Sequence, residues 1–109
     1  MDKLVSLTLR IPKSLNQELK YLSSQLGFTK SSLIKIAIHE FVDKIEMATH
    51  EFTDNDSFRM VLKVNDITHR MLIEASKRYE LSINQVVIKT CYLSVERYTK
   101  LLRELNSEC

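Results

Sequence analysis

The chain carries its pattern in duplicate. Residues 5–11, VSLTLRI, alternate apolar and polar; a short helical pattern follows, and then the longer apolar run FTKSSLIKIAIHEFVDKI. Residues 58–64, FRMVLKV, begin the same order again, which closes in LSINQVVIKTCYLSVERYTKL. With Thr29 set on Ser82 the offset is 53 residues: Leu7, Leu9 and Ile11 fall on Met60, Leu62 and Val64, Leu19 on Leu72, and Leu33 on Val86. A period of this size marks a repeated supersecondary unit that cannot bury its apolar face alone. A unit with one strand also leaves that strand's backbone groups unpaired. In 109 residues the two units are therefore expected to share one core: a first repeat at 1–47, a linker at 48–57 and a second repeat at 58–109.

The spacing predicts a strand over 5–11, with Val5, Leu7, Leu9 and Ile11 on one face and Ser6, Thr8 and Arg10 on the other. Pro12 removes a backbone donor and marks the change of element. Leu15, Leu19, Leu22 and Leu26 form one stripe of a helix over 13–26, and Gly27 stands where a left-handed stop is easiest. Thr29 is a helix N-cap, with Phe28 and Leu33 placed as a hydrophobic staple. From Leu33 through Val42 to Ile45 the apolar positions run so far round the helix that it is expected to be central. ATHEFTDNDS reads as a polar linker. A second strand over 58–64 turns Phe58, Met60, Leu62 and Val64 inward and Arg59, Val61 and Lys63 outward. Asn65 caps the next helix, whose apolar side is Ile67, Met71, Leu72, Ala75 and Tyr79. Ser82 and Gln85 make a capping box, with Leu81 and Val86 as its staple. The last helix runs to about 103, with Val86, Val87, Cys91, Val95, Tyr98 and Leu102 toward the core.

One Gly and one Pro disfavour an all-β fold, which needs turn residues. No apolar run reaches the roughly 18–20 residues of a membrane span, so no membrane role is expected. The N-terminus is too short and too alternating for a signal peptide, and the expected location is cytoplasmic. There Cys91 is expected to be a small core residue and Cys109 a frayed one, with no bridge expected between them. Net charge is only +2, but it is segregated: residues 1–35 hold six Lys/Arg and two Asp/Glu, residues 36–57 one and six, and residues 58–103 nine and four. Basic repeats with an acidic connector favour an anionic partner, although a solvated mixed surface has the same composition.

Paired antiparallel, the two strands make a ribbon that is buried behind and polar in front. Such a ribbon fits the B-DNA major groove, about 12 Å wide. Arg10 and Lys63, at equivalent repeat positions, can donate to guanine O6 and N7. Ser6 and Thr8 can donate or accept, and Val61 suits a thymine methyl. An ordinary solvent-facing sheet side shows the same alternation, so the strands alone leave both readings open. The starts of the second helix in each repeat, Thr29-Lys30-Ser31 and Ser82-Ile83-Asn84, offer free N–H groups and a partial positive charge that bind phosphate. Simple capping accounts for both hydroxyls equally well. Lys30 adds charge in the first repeat, where the second has Ile83.

LTLRIPKSLNQELKYLSSQLGFTKSSLIKIAIHEFV resembles a ribbon-helix-helix DNA-binding module, the group that includes the methionine repressor and small phage and plasmid repressors. The strand pattern, the leucine-striped helix and the G-F-T-K-S-S junction carry the resemblance, and the second repeat resembles the module more loosely. Tandem modules of this kind occur in conjugation accessory proteins and in archaeal-virus regulators. The resemblance implies a mainly α fold with a short β ribbon: a single-chain pseudodimer of two antiparallel strands and four helices. It implies base reading by Ser6, Thr8, Arg10, Arg59, Val61 and Lys63, and phosphate binding by Thr29, Lys30, Ser31, Ser82 and Ile83. Departures are Val61 on the reading face and Glu80 where the first repeat has Gly27; both imply weaker DNA contact by the second half. Family members usually pair identical chains on palindromes. Internal pairing here implies an asymmetric ribbon and a core site that is not a perfect inverted repeat.

The expected function is therefore transcriptional regulation through double-stranded DNA, as a repressor or dual regulator, with no cofactor and no metal. Self-association on DNA stays open. His39, His50 and His69 are scattered, and no metal-ligand spacing or glycine-rich phosphate loop accompanies them, so an enzyme is not expected. An antitoxin, or a helical module that binds a protein and not DNA, are the alternatives; the short tail LNSEC disfavours the antitoxin.

Overall fold

A computed structural model describes residues 3–49 and 56–107. His50, Cys109 and most of the expected linker lie outside the described residues. The elements are β1 (Leu4–Pro12), α1 (Lys13–Leu26), α2 (Lys30–Phe41), a 3-10 turn (Ile45–Met47), β2 (Ser57–Asn65), α3 (Asp66–Tyr79) and α4 (Ile83–Ser107). The described residues thus form four α-helices and one two-stranded antiparallel sheet.

The sheet is not a hairpin. Two helices separate its strands in sequence, so β1 finds its partner only when the first half has folded back. The register runs from Leu4 opposite Asn65 to Pro12 opposite Ser57, with Thr8 opposite Val61 at its middle. The alternation then acts as expected for a sheet covered on one side. Leu9, Ile11, Leu62 and Val64 are buried, and Val5, Leu7 and Met60 pack partly against the same core. Phe58 lies on the same face by register, but at the strand's start it is 41% exposed.

Local chemistry sets the helix ends. Pro12 closes β1, and the N–H of Lys13 in the first turn of α1, which has no acceptor within its helix, donates to the Asp56 carbonyl (3.1 Å). Gly27 ends α1 in the left-handed region (φ 77°). Glu80 ends α3 in the same region (φ 54°), where a side chain is disfavoured. Thr29 Oγ1 accepts from Ser32 N–H, and Asn65 Oδ1 accepts from Thr68 N–H. Ser82 and Gln85 cap each other's backbone N–H groups at 3.1 and 3.0 Å.

Three sequence expectations are corrected. The apolar helix after Thr29 does not continue to Ile45: α2 stops at Phe41, and Ile45 is buried from the separate 3-10 turn. No Gly or Pro marks this break, so periodicity alone runs through it. Ile67 is not on the apolar side of α3 but 67% exposed, and Phe58, expected to be covered on the inward face of β2, is 41% exposed. Thr68, by contrast, is buried, its hydroxyl 2.8 Å from His39 Nε2 on α2.

α4 is the central element. It packs on α1, α2 and α3, and residues Val86–Ile88 are followed by an unbroken buried run from Thr90 to Val95. Its N-terminal half is thus buried around most of its circumference, as an internal helix requires. Beyond Val95 it emerges: Arg97 pairs with Glu40 of α2 at 3.4 Å, and the Tyr98 hydroxyl donates to the same carboxylate at 3.3 Å. Cys91 is a free thiol within the buried run, and desolvation pushes its pKa up to about 12. It is a core residue, not a nucleophile.

Candidate nucleic-acid interface

The period-two alternation that buries Leu9 and Leu62 forces Ser6, Thr8 and Arg10 onto the other face of β1, and Arg59, Val61 and Lys63 onto the other face of β2. All six are exposed. The register joins them into three cross-strand pairs: Ser6 with Lys63, Thr8 with Val61 and Arg10 with Arg59. At about 3.3 Å per residue the three rows span roughly 13 Å. Arg10 directs both its N–H and its C=O away from β2, because both are bonded to Asn84. The Arg10–Arg59 pair is therefore of the close, non-hydrogen-bonded kind, and parity makes the other two pairs the same. Two like charges placed directly opposite are unfavourable. Among the described residues no carboxylate pairs with Arg10, Arg59 or Lys63; the ion pairs are Arg70–Asp66, Arg78–Glu74 and Arg97–Glu40. The face is cationic and uncompensated among these residues.

At the helix starts, capping consumes both hydroxyls. Thr29 accepts from Ser32 N–H and donates to Ser32 Oγ (2.9 Å), and Ser82 is closed against Gln85. The N–H groups of Lys30 and Ser31 in α2, and of Ile83 and Asn84 in α4, have no acceptor within their helices. Any anion contact there runs through backbone amides. The Ile83 side chain packs against the core. Lys30 is placed differently from a free phosphate contact: its ammonium donates to Asn16 Oδ1 at 2.7 Å and lies 4.2 Å from the centre of the Phe58 ring. Burial first, and then Lys20 nearby, lower its pKa. Asn16 is itself buried, so the ammonium answers an amide oxygen that has lost its water.

Sequence reasoning missed the structural part of Asn84. Its side-chain amide accepts from Arg10 N–H (2.8 Å) and donates to Arg10 C=O (3.0 Å), joining the start of α4 to the open edge of β1. The partners are 74 residues apart, and only the lack of a capping task for Asn84 hints at another one. Asn16 was likewise not expected to be buried.

Elsewhere, a groove of about 360 Å³ runs between α1 and α4, lined by Ser14, Glu18, Tyr92, Thr99 and neighbours; no ribbon residue lines it. The described residues hold no group of three or more His, Cys, Asp or Glu able to bind a metal ion. No helix among them is long and apolar enough to cross a membrane. Comparison with protein-family models, curated proteins and solved structures yields no match.

Proposed function

We propose that this chain is a sequence-specific double-stranded DNA-binding regulator of the ribbon-helix-helix kind, its two repeats acting as a single-chain pseudodimer. One observation carries the reading: six side chains from two distant segments stand exposed on one face of an antiparallel ribbon, three of them cationic and none matched by a described carboxylate. A two-stranded ribbon enters the major groove, and arginine, lysine, hydroxyl and small apolar groups are the types that read base edges there. The helix-start amides beside it can hold phosphate. In this reading Ser6, Thr8, Arg10, Arg59, Val61 and Lys63 contact bases, and phosphates meet the helix starts Thr29–Ser31 and Ser82–Ile83 through the free main-chain N–H groups of Lys30, Ser31, Ile83 and Asn84. In this reading the chain regulates transcription, as a repressor or dual regulator, by occupying a promoter.

Duplex binding measured across a range of salt concentrations tests the proposal. Affinity should fall steeply as salt rises. Arg10→Ala should cost about 1–3 kcal/mol and relax preference at one base pair. Binding that ignores both salt and Arg10 would instead favour a protein-binding role for the helical body.

A further inference from the structure

We infer that the ribbon has unequal ends: the Arg10–Arg59 end is the guanine-reading half, and the Ser6–Lys63 end is the tolerant one. The chain would then sit on its site in one fixed orientation. The inference rests on the DNA reading above and adds which half of the site carries the sequence information.

The repeat offset of 53 maps Thr8 onto Val61, and these two residues are also direct cross-strand partners. The axis that exchanges the two repeats within the ribbon therefore passes between them. Across that axis Arg10 exchanges with Lys63, and Arg59 with Ser6. A faithfully duplicated chain would present the same pair at both ends. This chain presents two guanidinium groups at one end and an ammonium with a hydroxyl at the other, with threonine against valine at the centre.

The chemistry of the two ends differs in kind. A guanidinium offers a rigid planar fork that matches guanine O6 and N7 in a bidentate contact. A lysine ammonium is a point charge on a flexible stem, and serine accepts several bases. Anchoring differs as well. Both backbone polar groups of Arg10 are fixed by Asn84. Ser31 occupies the position equivalent to Asn84 in the first repeat, and no hydrogen bond joins it to Lys63. The arginine end is thus both more discriminating and more firmly held.

Selection from a random duplex pool, run in parallel with the wild type and the triple variant S6R/V61T/K63R, tests this. The substitutions give the Ser6–Lys63 end the arginines of the other end, make the centre Thr–Thr, and alter exposed positions only. The wild type should enrich a site with guanine preference at one end and a non-palindromic centre. The triple variant should enrich an inverted repeat with guanines at both ends, and should bind that repeat about tenfold or more tightly than the wild type does. A wild-type preference for a perfect inverted repeat, or an unchanged asymmetric site for the variant, would overturn the inference while leaving DNA binding intact. If both proteins fold, as judged by circular dichroism, and neither retains duplex, the DNA reading falls and this inference with it.

Discussion

The side-chain amide of Asn84 closes a ring on the peptide of Arg10, accepting its N–H at 2.8 Å and donating to its C=O at 3.0 Å. The open edge of a two-stranded sheet would otherwise leave these groups to water or to another strand. The contact also holds the backbone beneath an exposed arginine. Asn84→Ala removes both bonds and is expected to lower stability by about 1–2 kcal/mol in urea denaturation. Asn84→Asp, which keeps only the acceptor, should fall between the two. A variant as stable as the wild type would show that the ring contributes nothing.

Lys30 is expected to act on stability more than on DNA. Its ammonium is engaged with Asn16 and the Phe58 ring. Its folded-state pKa lies below the ordinary 10.5, through burial first and Lys20 second. Between that lowered value and 10.5 the unfolded chain binds more protons than the folded one, so stability should rise with pH through this window. Lys30→Met keeps much of the stem and should flatten the rise. Its duplex binding should keep the wild-type salt slope; a phosphate contact at Lys30 would instead reduce that slope by about one.

Glu80 holds a left-handed conformation (φ 54°) at the end of α3, where α1 has Gly27. A side chain there costs roughly 1–2 kcal/mol, partly offset by glycine's greater freedom in the unfolded chain. Glu80→Gly is therefore expected to stabilise the fold by about 0.5–1 kcal/mol, read as a higher denaturation midpoint at unchanged slope. A lower midpoint would contradict this.

Features that depend on neighbours in sequence were legible before the fold was known. Alternation set the faces of both strands, and Thr29, Asn65 and the Ser82–Gln85 box mark helix starts because capping is a contact over three residues. The leucine stripe of α1 was equally plain. Features decided by distant packing were not. The stop of α2 at Phe41 has no local breaker, and Ile67 looks apolar yet finds no neighbour to cover it. The Lys30–Asn16 and Asn84–Arg10 contacts join separate elements and leave no periodic trace. The six-residue face of the candidate interface could be read from the alternation alone; the pairing of Arg10 with Arg59, which distinguishes one end from the other, needed the register.

The most direct test removes the charge of the ribbon face without touching the core. Arg10→Ala, Arg59→Ala and Lys63→Ala combined alter three exposed side chains that have no described ion-pair partner. Affinity for a duplex selected by the wild type should be measured by fluorescence anisotropy, with thermal unfolding followed alongside. A loss of at least about 3 kcal/mol, or more than a hundredfold, with the helical signal and melting temperature retained, is the predicted result. Unchanged affinity in an equally stable triple variant would contradict the account.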